Sequence, residues 1–180
     1  MPSIFIMSGR PFSGKTTLSK KISERLGIPR VSFDETWMQV EQEQGKVPGI
    51  DDTERWKYIN RMCEENARKF LVEGSSVVYD NLGSSFEQRG KIRKLASEEG
   101  ANSKVVYLDM DNEEVIKRRE ANLELKERAQ VSDENFYRAL ETFEPPRNGE
   151  DVLFYEPSQD IEVWIDREFS LRRNNNLEFI

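Results

Sequence analysis

At 180 residues the chain has room for one domain with a full core, and nothing in its composition divides it in two. Charged residues make up 34% and the net charge is −7, which fits a soluble acidic protein and weighs against a broad nucleic-acid surface, although a local basic groove stays open. With no histidine and one cysteine, Cys63, the chain excludes Ser-His-Asp triads, His-ligated zinc and internal disulfides, so proton transfer falls to carboxylates.

The apolar run Ile4-Phe5-Ile6-Met7 has no basic flank and reads as a first strand rather than a signal peptide; no run approaches membrane-spanning length, and the cytoplasm is the expected location. Leu18, Ile22 and Leu26 recur at helical spacing up to Gly27, giving a helix over 15–26. Val31-Ser32-Phe33 reads as a second strand ending at Asp34, and the polar stretch Gln39 to Asp52 as a loop or flap. Trp56, Ile59, Cys63, Ala67 and Phe70 mark a long amphipathic helix entered through Asp51, Asp52 or Thr53.

Val77-Val78-Tyr79 is the third strand, ending at Asp80-Asn81, and Ser85 caps the helix that buries Ile92, Leu95 and Ala96 before Gly100. A fourth strand covers Lys104 to Leu108, and Asp111 or Asn112 caps a mostly polar helix over 113–129. Ser132 caps the next helix, which Pro145-Pro146 stops; Val152 to Tyr155 is a fifth strand, and Ser158 is expected to cap a last helix burying Ile161, Trp164, Ile165 and Phe169. Alternating strands and helices predict an α/β three-layer domain around a five-stranded, mostly parallel sheet, with ligands gathering beyond the carboxyl ends of the strands.

Directly behind the first strand stands Gly9-Arg10-Pro11-Phe12-Ser13-Gly14-Lys15-Thr16-Thr17, which fits the P-loop pattern G-x-x-x-x-G-K-[ST] between a strand and a helix. Gly9 and Gly14 let successive amides curl around a phosphate, and the helix dipole points into the same cradle. Lys15 is expected to reach the β- and γ-phosphates, Thr16 to ligate magnesium, and Thr17 to add a hydroxyl near the α-phosphate.

Asp34 is the candidate general base for an attacking hydroxyl, though an aspartate there also serves as a helix cap. Asp80 ends its strand as a Walker B aspartate does and is the second magnesium candidate. Asn81 follows it where motor ATPases place a water-activating glutamate, and no N-K-x-D sequence is present, so a hydrolytic motor and a GTPase switch are both disfavoured. Asn81 either touches substrate or shapes the turn. Arg118, Arg119 and Arg128 form either a solvated face with Glu120, Glu124 and Glu127 or a lid whose guanidiniums meet the transferred phosphoryl; Arg89 is a weaker fourth candidate. Trp37, Trp56 and Trp164 read as packing residues.

The P-loop with Pro11 and Ser13, the strand-terminal Asp34, the Val77-Val78-Tyr79-Asp80-Asn81 strand with Arg89 beyond it, and Arg118-Arg119 together resemble the small P-loop kinases. That group includes the kinase domain of 5′-polynucleotide kinase, zeta toxins, chloramphenicol phosphotransferase and gluconate kinase, and the similarity covers about residues 3–165. The resemblance implies ATP- and magnesium-dependent transfer of the γ-phosphoryl group to a hydroxyl, with Asp34 as base. It further implies nucleotide contacts from Gly9, Pro11, Ser13, Gly14, Lys15, Thr16, Thr17 and Arg119, and acceptor contacts from Asp34, Asn81 and Arg89.

Polynucleotide kinases of this group carry an arginine shortly after the aspartate. Here Glu35-Thr36-Trp37-Met38 follows, which counts against a nucleic-acid 5′ end as the acceptor. Asn122 stands four residues after Arg118, where a second lid arginine is commoner. The expected organisation is a kinase domain over 1–170, with an acceptor flap and helix over 39–71, a lid over 113–143, and a tail over 171–180. The rival expectations are a slow nucleotide hydrolase that drives a conformational change and a nucleotide sensor with no acceptor.

Overall fold

The computed structural model describes residues 1–45, 52–81, 83–125 and 132–175 of the chain. Its centre is β1 (Ser3–Gly9), whose run of apolar side chains is buried on both faces. β2 (Arg30–Ser32), β3 (Val77–Asp80), β4 (Asn102–Leu108) and β5 (Val152–Tyr155) join it in the order β2-β3-β1-β4-β5. Every pairing is parallel, so the strands end on a common edge.

Parallel strands need crossovers, and the helices supply them on both faces. They are α1 (Lys15–Leu26), α2 (Phe33–Gln44), α3 (Asp52–Val72), α4 (Phe86–Glu98), α5 (Asn112–Leu125), α6 (Asp133–Glu141) and α7 (Ile161–Asn175). Alternate side chains of β1 take opposite sides, as strand geometry requires. Ile4 and Ile6 pack with Ile59, Cys63, Ala67 and Leu71 of α3 and Ile92 and Leu95 of α4. Phe5 and Met7 meet Leu18 and Ile22 of α1 and Trp164 and Ile165 of α7. Each fully buried Ile, Leu or Met side chain among them contributes about 1.5–3 kcal/mol.

A smaller apolar cluster, Met110, Val115 and Phe136 with Phe12, Ile116 and Leu140 against it, joins α5 and α6 to the P-loop. The lid expected over 113–143 is therefore a helix pair docked on the carboxyl edge of the sheet.

Several local expectations are corrected. Phe33 opens α2 instead of closing a strand, because the Ser32 side chain accepts the Glu35 amide and caps the helix. Asp34 consequently lies in the first helical turn, neither at a strand end nor at a cap. Gln39 to Gln44 is helical, and the remainder of the expected flap, 46–51, lies outside the described residues. Asp160, not Ser158, caps α7, since its Oδ1 accepts the Val163 amide at 3.0 Å. Trp56 is 40% exposed and is no core residue, whereas Trp164 is 1% exposed. Arg128, with the end of the helix expected over 113–129, lies outside the described residues.

Candidate active site

The phosphate cradle is built from β1, α1 and the turn between them. Gly9 has φ +155°, and a Cβ there would stand 2.9 Å from Ser13 Oγ and 3.0 Å from the Leu108 carbonyl oxygen, so only glycine fits. Gly14 takes φ 99° and opens α1 without any side-chain cap hydrogen bond. The first amides of α1 thus lack the usual side-chain acceptor and face the cradle. Phe12 adopts φ 60°, a costly conformation for an aromatic residue, and its ring packs edge-on against Phe136 of α6 at 5.8 Å.

The residues present fit a bound phosphate. Ser13 Oγ is buried and finds no hydrogen-bond partner among the described residues, a cost that an anion in the cradle would remove. Lys15 Nζ donates to the Gly9 and Arg10 carbonyls at 2.8 Å each, holding its charge across the loop. Pro11 lies in the turn, partly exposed; Thr16 is half-buried and Thr17 exposed.

A cavity of about 330 Å³ opens beside the cradle, lined by Ser13, Gly14 and Thr17 on one side, Arg118 and Asn122 of α5 on another, and Pro157 after β5 on a third. Arg118 Nη1 comes within 3.9 Å of the place a Gly14 Cβ would take, and Arg118 Nε donates to Glu114 at 2.9 Å. Asn122, 8% exposed, stands one turn further along the same wall.

The two arginines expected on a lid part company. Arg119 is bound to Asp133 and lies 4.5 Å over the Phe136 ring, which commits it to the contact between α5 and α6. It does not line the cavity. Arg89 is corrected more firmly: it is fully buried, forks onto Glu150 at 2.9 and 3.0 Å, and donates to the carbonyls of Gly83, Glu144 and Pro145. That guanidinium clamps two loops together and is not presented to an acceptor.

The carboxylates gather where β2 and β3 end. Ser32 and Asp80 are register partners, which brings the start of α2 beside Asp80. Asp34 is exposed as a residue, yet protein crowds its carboxyl enough that desolvation raises its pKa, with the Asp80 charge adding to the rise. Arg30 and Lys15 oppose that shift, so the carboxyl sits within the field of the cradle lysine.

Asp80 Oδ2 accepts from Ser19 Oγ at 2.7 Å and from Arg30 Nη2 at 2.8 Å. Ser19 Oγ also lies 3.0 Å from the Thr16 carbonyl oxygen, connecting Asp80 to the turn that carries Thr16. Among the described residues no group of three or more His, Cys, Asp or Glu side chains could cage a metal. The Thr16 hydroxyl and Asp80 instead match magnesium, which takes one or two protein oxygens and completes its shell with phosphate and water.

Next to Asp80, Asn81 Nδ2 donates to Asn60 Oδ1 of α3 at 3.0 Å and to the Tyr79 hydroxyl at 3.2 Å. Burial pushes the Tyr79 hydroxyl pKa upward, so Tyr79 remains a neutral acceptor for that amide.

The sequence reading missed Arg30, whose residue type at the head of a strand carries no signal of its own. It also missed Gly83, where a Cβ would fall 2.3 Å from the Met7 carbonyl oxygen and whose own carbonyl accepts from Ser8 Oγ at 2.7 Å. A glycine three residues after a strand-terminal aspartate was the available sign of that close approach.

The model of the family described as AAA domain, AAA_33, matches residues 4–146. The probable adenylyl-sulfate kinase of Aeropyrum pernix is 28% identical over 169 residues, covering 92% of this chain and 89% of the other. The probable gluconokinase of Schizosaccharomyces pombe is 26% identical over 119 residues, covering 64% and 61% of the two chains. Among solved structures, the Mycobacterium tuberculosis APS kinase CysC in complex with AMPPNP and APS superposes with a TM-score of 0.63 at 18% identity, over 96% of this chain and 98% of that one.

Proposed function

The chain belongs to the AAA_33 family, and from that premise we propose that it is a small P-loop kinase moving the γ-phosphoryl group of ATP to a hydroxyl of a small-molecule acceptor. Its relatives include kinases named for adenylyl sulfate and for gluconate, which supports a common donor side and a variable acceptor side. The observation that carries the reading is the conjunction of an anion cradle with a raised-pKa carboxyl, Asp34, that lies in the field of both Lys15 and Asp80.

The geometry supports the following division of labour. The amides of Gly14 to Thr17 and the Ser13 hydroxyl hold the phosphates, and Lys15 neutralises their charge. The base and ribose occupy the cavity between α5 and Pro157. Asp34 accepts the acceptor hydroxyl's proton, which its raised pKa favours. Arg118 reaches over Gly14 and meets charge developing on the transferred group. The Thr16 hydroxyl and Asp80 would hold magnesium, which would supply charge neutralisation at the phosphate oxygens. Asn81, braced by Asn60 and the Tyr79 hydroxyl, contributes to the acceptor wall.

The test is transfer of label from γ-labelled ATP, with magnesium, to a panel of nucleosides, sugar acids, sugars and 5′-hydroxyl oligonucleotides. Label is expected on a small-molecule hydroxyl and is expected to vanish in Lys15→Ala. Nucleotide bound with wild-type affinity by the alanine variant, or no transfer to any acceptor or to water by the wild type, would overturn the assignment.

A further inference from the structure

Arg30 is the first residue of β2, and its side chain is 8% exposed. The guanidinium bonds three structural elements. Nη1 pairs with Glu35 Oε2 of α2 at 2.8 Å, Nη2 with Asp80 Oδ2 at the end of β3 at 2.8 Å, and Nε donates to Ser19 Oγ of α1 at 2.8 Å. We propose that Arg30 is a positioning residue for phosphoryl transfer, its planar fork fixing the spacing between Asp80 and the first turn of α2 that carries Asp34. The inference rests on the kinase reading above and adds to it a residue that touches neither nucleotide nor acceptor.

Three features separate this role from that of a plain fold staple. The donors converge on one oxygen: Ser19 and two Arg30 nitrogens, Nε and Nη2, bond Asp80 Oδ2, and among the described residues nothing bonds Oδ1. The carboxylate is thus held by one side with the other turned free for a ligand. Second, Arg30 reaches Glu35, whose neighbour in sequence is Asp34, so α2 is tied at the residue beside the proposed base. Third, the fork is buried, while the one other cation on Glu35 among the described residues, Lys20 at 3.4 Å, belongs to a pair more than half exposed on each side. An exposed pair of that kind adds little, so the spacing depends on Arg30.

A lysine cannot take its place, because one ammonium on a flexible stem cannot address three partners in a plane. The decisive comparison is of Arg30→Lys, Arg30→Gln and Glu35→Gln with the wild type. Melting temperature reports the fold, calorimetry reports affinity for a non-hydrolysable ATP analogue with magnesium, and label transfer from ATP to acceptor or water reports turnover. Positioning predicts that both Arg30 variants bind the analogue within about threefold of wild type while transfer falls about tenfold or more, since small displacements of reacting groups cost that much. Glu35→Gln, whose side chain is more than half exposed, keeps the melting temperature and slows transfer about threefold.

Transfer within threefold of wild type by either Arg30 variant overturns the proposal, as does a loss of rate matched by an equal loss of affinity or of folded fraction. If the Arg30 variants do not fold, wild-type turnover in Glu35→Gln overturns it alone. A wild type that transfers label to nothing defeats the kinase reading instead, and the two failures are told apart by that control.

Discussion

Arg118 and Gly14 face each other across the mouth of the cradle, with Nη1 only 3.9 Å from where a Gly14 Cβ would lie. The helix that carries Arg118 is docked through Phe136 and Phe12, which holds the guanidinium beside the P-loop turn. Arg119 is one residue away but turned into the α5–α6 contact. Two adjacent arginines thus have different surroundings, Arg118 at the cavity and Arg119 in packing.

That division predicts opposite phenotypes. Arg118→Met should lower the transfer rate by about 10²-fold with nucleotide affinity changed less than about tenfold, because a donor aimed at developing charge acts mainly in the transition state. Its melting temperature should be nearly unchanged, the side chain being 39% exposed. Arg119→Met should lower the melting temperature and reduce the rate only through loss of lid order. Steady-state kinetics beside thermal melts of the two variants decide the matter, and equal rate losses at equal stability would refute it.

Asp34→Asn should leave ATP-analogue affinity within about threefold and reduce transfer by 10²–10⁴-fold, roughly the reach of general base catalysis. The pH dependence has a definite sign. Desolvation first, and the Asp80 charge second, raise the Asp34 pKa, while Arg30 and Lys15 hold it back. The base is active as carboxylate, so the wild-type rate should decline on acidification through a midpoint above the ordinary aspartate value. A rate independent of pH down to that ordinary value would remove Asp34 from the role.

Gly83→Ala tests the loop that joins Asp80 and Asn81 to α4. The added methyl would fall 2.3 Å from the Met7 carbonyl oxygen, a backbone atom of the central strand that has nowhere to go. The loop must shift, at a cost of about 1–3 kcal/mol, and the shift is transmitted to Ser8, whose hydroxyl bonds the Gly83 carbonyl. Chemical denaturation should show that loss together with reduced turnover. A variant as stable and active as the wild type would mean that the loop has slack.

The sheet and the cradle were legible because their signals are local. A P-loop carries its glycines, lysine and threonine within nine residues, and central parallel strands read as uninterrupted apolar runs. What was lost depends on contacts between distant segments. Ser32-Phe33-Asp34-Glu35 contains a Ser-x-x-Glu start signal, which would have started a helix at Phe33 and moved Asp34 from strand end into helix. Arg89 and Arg118 look alike as letters; one meets Glu150, 61 residues away, and the other meets the cavity. Nothing in the neighbourhood of either distinguishes a buried clamp from a lid arginine. Arg30 was overlooked for the same reason, its three partners lying on three other elements.

The buried pair Arg89–Glu150 sets the last expectation, in stability and in its pH dependence. Both side chains are 0% exposed, and Arg93 and the Arg147 amide also bond the Glu150 carboxylate. Burial pushes the Glu150 pKa up, but hydrogen bonds from Arg89 and the Arg147 amide and the Arg89 charge outweigh it, and the net shift is downward. A carboxyl with a depressed folded-state pKa contributes stability above its unfolded value that is lost as pH falls through the folded one. Arg89→Met leaves that carboxylate buried without its main partner and should cost about 3–5 kcal/mol near neutrality, or roughly 6–20 °C in melting temperature for a domain of this size. Removing Arg89 also removes the largest opponent of burial, so Glu150 then takes up a proton more readily and the deficit against the wild type should shrink on acidification. Arg89→Met combined with Glu150→Leu deletes both charges and should recover part of the loss at neutral pH. Melting curves of the three proteins across a pH series provide the check: a deficit that stays constant from neutral to acid pH would show that Arg89 acts through its loop carbonyls, not through Glu150.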